Sequence, residues 1–276
     1  MKRKITSIRP LVISENSLKI FWTTDCHIRN DVGSNPSAPG ALAGNRYYYL
    51  SPQKVEAFVV AVNLANPDLA ICTGDMIDRD ASFEIFLDMW EQINSPSELV
   101  IGNHEFDANT YSSIVSSLGW EERPMLGNSK FNRSFSLTNE TFGVRCIILD
   151  TNYTEVYEHG YTNYGRIHAD DLTWLENEIN LVAEDVILVF THHAPAAPSN
   201  FISADAQQLM SVLASSNKKI YNLTGHHHLA NITRYQKHGE VSTSYVAPAL
   251  VEQLQQDYAI LYINPNGDII TEQKTL

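Results

Sequence analysis

Cysteine is scarce: Cys26, Cys72 and Cys146 are the only three in 276 residues, and each lies in or beside an apolar run far from the others. An odd, dispersed set of thiols excludes a disulfide framework and reads as buried reduced side chains. Long hydrophobic stretches are missing too. No run approaches the roughly 18 apolar residues that a membrane helix requires, so no membrane association is expected. Positive charge is in short supply, with 19 Lys and Arg against 32 Asp and Glu and a net charge of −13. That deficit weighs against broad nucleic-acid binding, which needs clustered basic side chains. A secretory leader is not evident, because the basic start Met1-Lys2-Arg3-Lys4 leads into Ser7, Arg9, Pro10, Ser14, Glu15 and Asn16 and not an apolar region. A cytoplasmic protein is therefore expected, and the sequons at Asn132, Asn139, Asn152, Asn222 and Asn231 carry no weight there. Repeats and linkers are absent, and a hydrophobic fraction of 43% with 18% charged residues fits one globular domain over residues 1–276.

What the chain does have is an alternation of apolar strands and amphipathic helices. The patterning predicts a first core strand over 17–23, then a long loop over 28–50 that closes in Arg46-Tyr47-Tyr48-Tyr49. Ser51 is expected to cap a helix with Pro52 in its first turn and Val55, Phe58, Val59 and Val62 on one face. An apolar strand from Leu69 follows. Further helices are expected over 81–93, over 111–118 with Gly119 as the stop, over 169–182 and over 203–215. Between them, strands are expected at 99–101, 131–137, 143–149, 186–190 and 219–223, with a hairpin joining the second and third. A second long loop covers 152–167. Four more β runs close the chain, near 232–235, 241–246, 258–263 and 269–272. Alternation followed by β-rich stretches points to an α/β fold, a four-layer α-β-β-α sandwich of two mixed β-sheets flanked by helices.

Five of the apolar runs end in side chains that can bind metal: Asp25 and His27, Asp75, Asn103 and His104, His192, and His226 and His228. A single Gly-Asp or Asp-x-His at a strand end is more often only a turn or a solvated loop. Five in one chain shift that balance. In extended chain, residues i and i+2 point the same way, so Asp25 should face a site with His27, and His226 with His228, while Cys26 and His227 turn elsewhere. Carboxylate, imidazole and amide oxygen together suit Mn, Fe, Zn or Co better than an all-oxygen Mg or Ca cage.

Taken in order, Asp25-Cys26-His27, Gly74-Asp75-Met76-Ile77-Asp78, Gly102-Asn103-His104-Glu105, His192 and Gly225-His226-His227-His228 resemble the blocks of the calcineurin-like metallophosphoesterase family. The resemblance runs from about residue 17 to 230. It implies that Asp25, His27, Asp75 and His228 hold one divalent transition-metal ion and that Asp75, Asn103, His192 and His226 hold a second, with Asp75 as the bridge. The neutral Asn103 suits an exchangeable second ion. It further implies hydrolysis of a phosphoester by a hydroxide bridging the two metals, with the catalytic His104 reaching over the site to protonate the leaving oxygen or steady developing charge. The family pattern favours His192 over its neighbour His193 as the ligand. Asp78 is read as a brace for the loop or for a ligand histidine, and Glu105 as either orienting His104 or capping the next segment. Asp150, after an apolar run, is either such a brace or an ordinary turn residue.

A narrower resemblance, to the manganese-dependent ADP-ribose and CDP-alcohol diphosphatase branch, rests on Arg46-Tyr47-Tyr48-Tyr49 followed by Ser51 and Lys54, on Gly102 to Phe106, and on Leu172-Thr173-Trp174-Leu175. The chain lacks much of the length which that branch carries between the third block and the late helix. On this basis manganese is favoured, Arg46 is expected to grip a second phosphate and Tyr48 to meet the substrate. A Tyr-rich loop that only packs its own residues is the plainer reading. The expected partner is a small phosphorylated substrate of the nucleotide kind, cleaved at a phosphodiester or diphosphate bond. In an acidic protein such a substrate must be drawn in locally, as by bound cations. A phosphomonoesterase with the same site is the alternative, and a non-catalytic scaffold on the same fold the remote one.

Overall fold

A computed structural model describes residues 12–276, apart from 33, 39, 44–45, 79–82, 108, 153–163, 196–200, 229–230, 238–239 and 253–256. The chain enters through β1 (Leu18–Thr23) and crosses a long connection holding the two-residue strands β2 (Leu42–Ala43) and β3 (Arg46–Tyr47). A single 3-10 turn, Tyr48–Leu50, then runs into α1 (Ser51–Ala65). Next come β4 (Leu69–Cys72), α2 (Phe83–Trp90), β5 (Ser97–Leu99), a 3-10 turn at His104–Phe106 and α3 (Tyr111–Ser117). The hairpin β6 (Arg133–Thr138) and β7 (Gly143–Ile148) leads to α4 (Ala169–Leu181), β8 (Val186–Phe190), α5 (Ser203–Leu213) and β9 (Lys219–Thr224). The strands β10 (Asn231–Lys237), β11 (Glu240–Val246), β12 (Tyr258–Ile263) and β13 (Ile269–Lys274) end the chain.

Two mixed sheets result, one of five strands in the order β13-β12-β1-β4-β5 and one of six in the order β10-β11-β9-β8-β7-β6. β1, β4 and β5 are parallel, as are β7, β8, β9 and β11, so their carboxyl ends gather at one edge. Antiparallel strands flank each parallel block. The buried runs LAIC and VILVF are apolar on both faces, as strands covered on both sides must be. One core, including Trp22, Ile71, Leu188 and Phe190, lies between the sheets. A second joins Phe21 and Ala70 to Phe58 of α1 and Phe86 of α2, and a third joins Ile147 and Val189 to Leu175 of α4 and Leu209 of α5. Helices therefore cover both outer faces, which gives the four layers expected. Among the described residues no helix is long and apolar enough to cross a membrane.

Several boundaries differ from those expected. The strand placed at 99–101 is Ser97–Leu99, because β5 is an edge strand whose polar first residues need no burial, Glu98 pairing with Arg133 at 2.5 Å. Val100 adds one bond, to the Cys72 carbonyl at 2.9 Å, before the chain leaves the sheet. Ser51 does not cap α1: the preceding turn feeds straight into the helix, Leu50 occupies the cap position, and no side chain caps it. The helix expected over 81–93 is observed as Phe83–Trp90, with residues 79–82 outside the described set.

Candidate metal centre

Beyond the strand ends the backbone departs from the extended geometry expected there. Asp25, His27, Asp75, His226 and His228 have φ of 52°, 48°, 51°, 63° and 59°. Among the described residues the one other non-glycine in this region is Asn66, the C-cap of α1. Each left-handed residue costs about 1 kcal/mol or more. Asp25 Oδ1 and His27 Nε2 approach to 3.7 Å, whereas His226 and His228 fall in separate groups of donor atoms; all four sit on alternate left-handed kinks instead of a continued pleat. Cys26 turns into the apolar core.

Backbone bonds hold these loops together. Asp25 N–H donates to the Gly74 carbonyl at 3.0 Å, His27 N–H to that of Asp75 at 2.9 Å, and Gly225 N–H to that of His192 at 2.9 Å. The approach of Gly225 to the first loop is close enough that a Cβ there would overlap Thr24 Oγ1, so no other residue fits without movement.

Each aspartate divides its two oxygens. Asp25 Oδ2 accepts His226 N–H at 2.9 Å, and Asp75 Oδ1 accepts His104 N–H at 2.9 Å. The other oxygens face imidazoles. Asp75 Oδ2 lies 3.1 Å from His192 Nε2 and 3.7 Å from His27 Nε2. Asp25 Oδ1 lies 3.2 Å from His228 Nε2 yet, fully buried, has no aligned hydrogen-bond donor. His27 Nε2 is 3.1 Å from His228 Nε2, and His192 Nε2 is 3.1 Å from the Asn103 side-chain oxygen.

The tautomers make this arrangement informative. His192 Nδ1 is 2.7 Å from the Thr73 carbonyl and His228 Nδ1 3.0 Å from Glu252 Oε1, and both partners can only accept. With Nδ1 committed as donor, each Nε2 presents a lone pair to oxygens that are acceptors as well. Lone pairs converging in a buried space require either an extra proton or a cation. The donor set of carboxylate, imidazole and amide oxygen suits the cation. Asp25, His27 and His228 could hold one ion, and Asp75, Asn103, His192 and His226 a second. Two of the candidate clusters, Asp25-His27-His228 and Asp25-Asp75-His192, each bring their donor atoms within 4.8 Å of one another.

Without a cation the charges compensate among themselves. Burial acts to raise the Asp25 carboxyl, but His228 and His27 hold it well below the usual range. Burial opposes a charged His192, and Asp75, by charge and hydrogen bond, nonetheless raises it to about 9. His104 is likewise pushed up to about 9, burial being outweighed first by Asp75 and then by Asp107.

The His104 ring lies 4.7 Å from that of His27. Its Nδ1 donates to Asp107 Oδ2 at 2.8 Å and lies 3.7 Å from Asp78 Oδ1. Asp78 Oδ2 is 3.5 Å from His27 Nδ1, close enough for an ion pair but without an aligned hydrogen bond.

Glu105 does neither of the things expected of it. It is wholly buried, and its carboxylate accepts the backbone N–H groups of Asp75 at 3.0 Å, Met76 at 2.7 Å, Ile77 at 3.2 Å and Gly102 at 2.6 Å. It thus clamps the Asp75 loop to the Asn103 loop, and His104 is oriented by Asp107 instead. Asp150 is a brace at one remove. It accepts Asn152 N–H at 2.8 Å, and Asn152 Nδ2 in turn donates to the Ile101 carbonyl at 2.7 Å.

Arg46 sits at the mouth of the site, its side chain 35% exposed, with Nη1 donating to Tyr48 Oη at 3.4 Å. Tyr48 is only 5% exposed. Its ring meets His27 edge-on at 6.3 Å and lies 4.8 Å from the Arg29 guanidinium, so it is a wall and offers no open face to a base. Two participants escaped the sequence reading, Glu252 and Asp107. His193, read as a neighbour, joins His192 and His226 in a cluster of donor atoms within 4.8 Å; it is fully buried, and its Nε2 has no hydrogen-bond partner.

Comparison with known proteins bears on the family and the fold. A model described as calcineurin-like phosphoesterase matches residues 18–230. A probable glycerophosphodiester phosphodiesterase of Arcobacter nitrofigilis is 25% identical over 179 residues, covering 62% of this chain and 60% of that protein. A probable cyclic nucleotide phosphodiesterase of Rhodococcus erythropolis is 27% identical over 182 residues, covering 62% and 54%. The chain thus spans less than two thirds of the length of either. Among solved structures, a dimetal phosphatase from Danio rerio superposes with a TM-score of 0.72 at 16% identity, covering 95% of this chain and all of that one; at that identity the likeness is one of fold.

Proposed function

The chain belongs to the calcineurin-like phosphoesterase family, and we propose that it is a two-metal hydrolase of small phosphodiesters or nucleotide diphosphates. The observation that carries this reading is the position of Asp75 Oδ2, 3.1 Å from His192 Nε2 on one side and 3.7 Å from His27 Nε2 on the other. One carboxylate oxygen is thereby offered to two groups of donors. Asp25, His27, Asp75 and His228 would hold one ion, and Asp75, Asn103, His192 and His226 the other; manganese suits this mixed set. A bound pair of divalent cations supplies Lewis-acid polarisation of the phosphoryl group and makes water acidic enough to act as nucleophile near neutral pH.

The remaining work falls to the chain itself. Glu105 fixes the loop that carries Asp75, and His192 Nε2 meets the Asp75 carboxylate at 3.1 Å with the Asn103 side-chain oxygen 3.1 Å from the same nitrogen. His104, with Nδ1 tied to Asp107, would present Nε2 to the leaving oxygen and deliver its proton there. Arg46, on the rim, would meet an anionic group beyond the phosphorus under attack, and the buried Tyr48 would steady it. With a net charge of −13, attraction of an anionic substrate must come from this local cluster. The names of the curated relatives favour a diester over a monoester. Hydrolysis of bis-p-nitrophenyl phosphate and p-nitrophenyl phosphate, compared in Mn²⁺, tests the choice: faster turnover of the diester is expected, and a large preference for the monoester would make the enzyme a phosphatase instead.

A further inference from the structure

The segment 250–252 is tied to four different parts of the site. Leu250 N–H donates to the Thr24 carbonyl at 3.0 Å, directly before Asp25. Tyr47 N–H donates to the Val251 carbonyl at 2.9 Å, and Arg46 forms an isolated antiparallel bridge with Glu252. From α1, Lys54 Nζ reaches the carbonyls of Leu250 at 2.8 Å and Glu252 at 2.7 Å and the Asp257 carboxylate at 2.6 Å. A small apolar cluster of Val32, Ala41, Tyr48, Ala249 and Val251 seals the same junction. Backbone, cation and apolar contacts all fix where the Glu252 side chain emerges, and that side chain is nearly buried, 7% exposed.

Its carboxylate has two partners. Oε1 accepts His228 Nδ1–H at 3.0 Å, which sets the ring so that Nε2 faces Asp25 Oδ1. The same Oε1 lies 4.0 Å from Arg46 Nε at the mouth. We propose that Glu252 is a positioning residue shared between the metal-facing His228 and the rim residue Arg46, so that what Arg46 does is felt in the affinity of the ion beside His228. This rests on the two-metal reading above. A negative partner on Nδ1 makes Nε2 a stronger donor to a cation, and partners of this kind are worth roughly 10–100-fold in metal affinity. Arg46 draws on that same charge. When Arg46 is engaged by an anionic substrate group, Glu252 is left to His228 alone, and the ion beside His228 is held more tightly while substrate is present.

The test is Mn²⁺ binding to the full chain, by titration calorimetry and by Mn²⁺ spin resonance, for wild type, Glu252→Gln, Arg46→Gln and the double variant. Glu252→Gln is expected to weaken one of two Mn²⁺ ions roughly 10–100-fold, and its kcat should recover at high Mn²⁺, which a damaged fold would not allow. Arg46→Gln, made at a partly exposed side chain, should tighten that same ion several-fold, and the effects should be non-additive by a few-fold in the double variant. An Arg46→Gln protein whose Mn²⁺ affinity equals wild type, or a Glu252→Gln protein that binds both ions unchanged, would overturn the shared role while leaving the two-metal reading intact. A wild-type protein that binds no Mn²⁺ would instead remove the reading on which it rests.

Discussion

The Glu105 carboxylate accepts the backbone N–H of Asp75 at 3.0 Å, and with the next two residues and Gly102 it takes four such groups in all. A buried acid therefore holds in place a residue whose φ of 51° is unfavourable on its own. Burial first, and Asp75 second, raise this carboxyl to about 7. Glu105→Gln keeps the shape but turns an amide N–H₂ towards backbone donors. An unsatisfied buried donor costs about 1–3 kcal/mol, so metal-free Glu105→Gln should melt several degrees below wild type and bind Mn²⁺ more weakly. An unchanged melting temperature would show that the clamp stabilises nothing.

Asp75 and His104 should separate cleanly. Asp75→Asn removes the one oxygen placed between both donor groups, and is expected to abolish turnover and metal loading together, as read by metal analysis of the purified protein. His104→Ala should retain the metals and lower kcat by roughly 10²–10⁴-fold, the usual size of a general acid's contribution. Asp107→Asn should lower kcat by a smaller factor at unchanged metal content, because it releases the His104 ring without removing it.

Away from the metal cluster, Asp150 gives a prediction in pH. Burial raises its carboxyl from 3.8 to about 7; hydrogen bonds from Asn152 oppose this, and the charge of Asp171 adds to it. The folded chain holds this proton more tightly than the unfolded chain does. Its contribution to stability is therefore complete below about pH 4 and is lost as pH climbs towards about 7. Thermal unfolding of metal-free wild type and Asp150→Asn over this range should show wild type losing ground to the variant as pH rises. Parallel profiles would contradict the assignment.

The contrast between Asp75 and Glu252 shows what a sequence can disclose. Asp75, His192 and His228 were legible because each follows an apolar run, and a strand's end fixes where its next residues emerge. The layers were legible for the same reason, since buried runs and amphipathic helices alternate. The αL kinks at Asp25 and His27 were not, because they depend on closure against the Gly74 and Asp75 carbonyls. Glu252 was hidden because its partners, His228 and Arg46, are remote in sequence and meet it only through packing of the segment near Ala249 and Val251. Asp107 was closer to hand: it lies one turn beyond His104, at i+3. Ser51 misled because a cap-type residue before a proline looks the same whether or not a 3-10 turn precedes it.

Crystals soaked in Mn²⁺ and measured for anomalous scattering test the central claim most directly. The account predicts two peaks about 3.5–4 Å apart, one beside Asp25, His27 and His228, one beside Asn103, His192 and His226, with Asp75 Oδ2 between them. No peak among these side chains, or a single ion that leaves Asp75 aside, would contradict it.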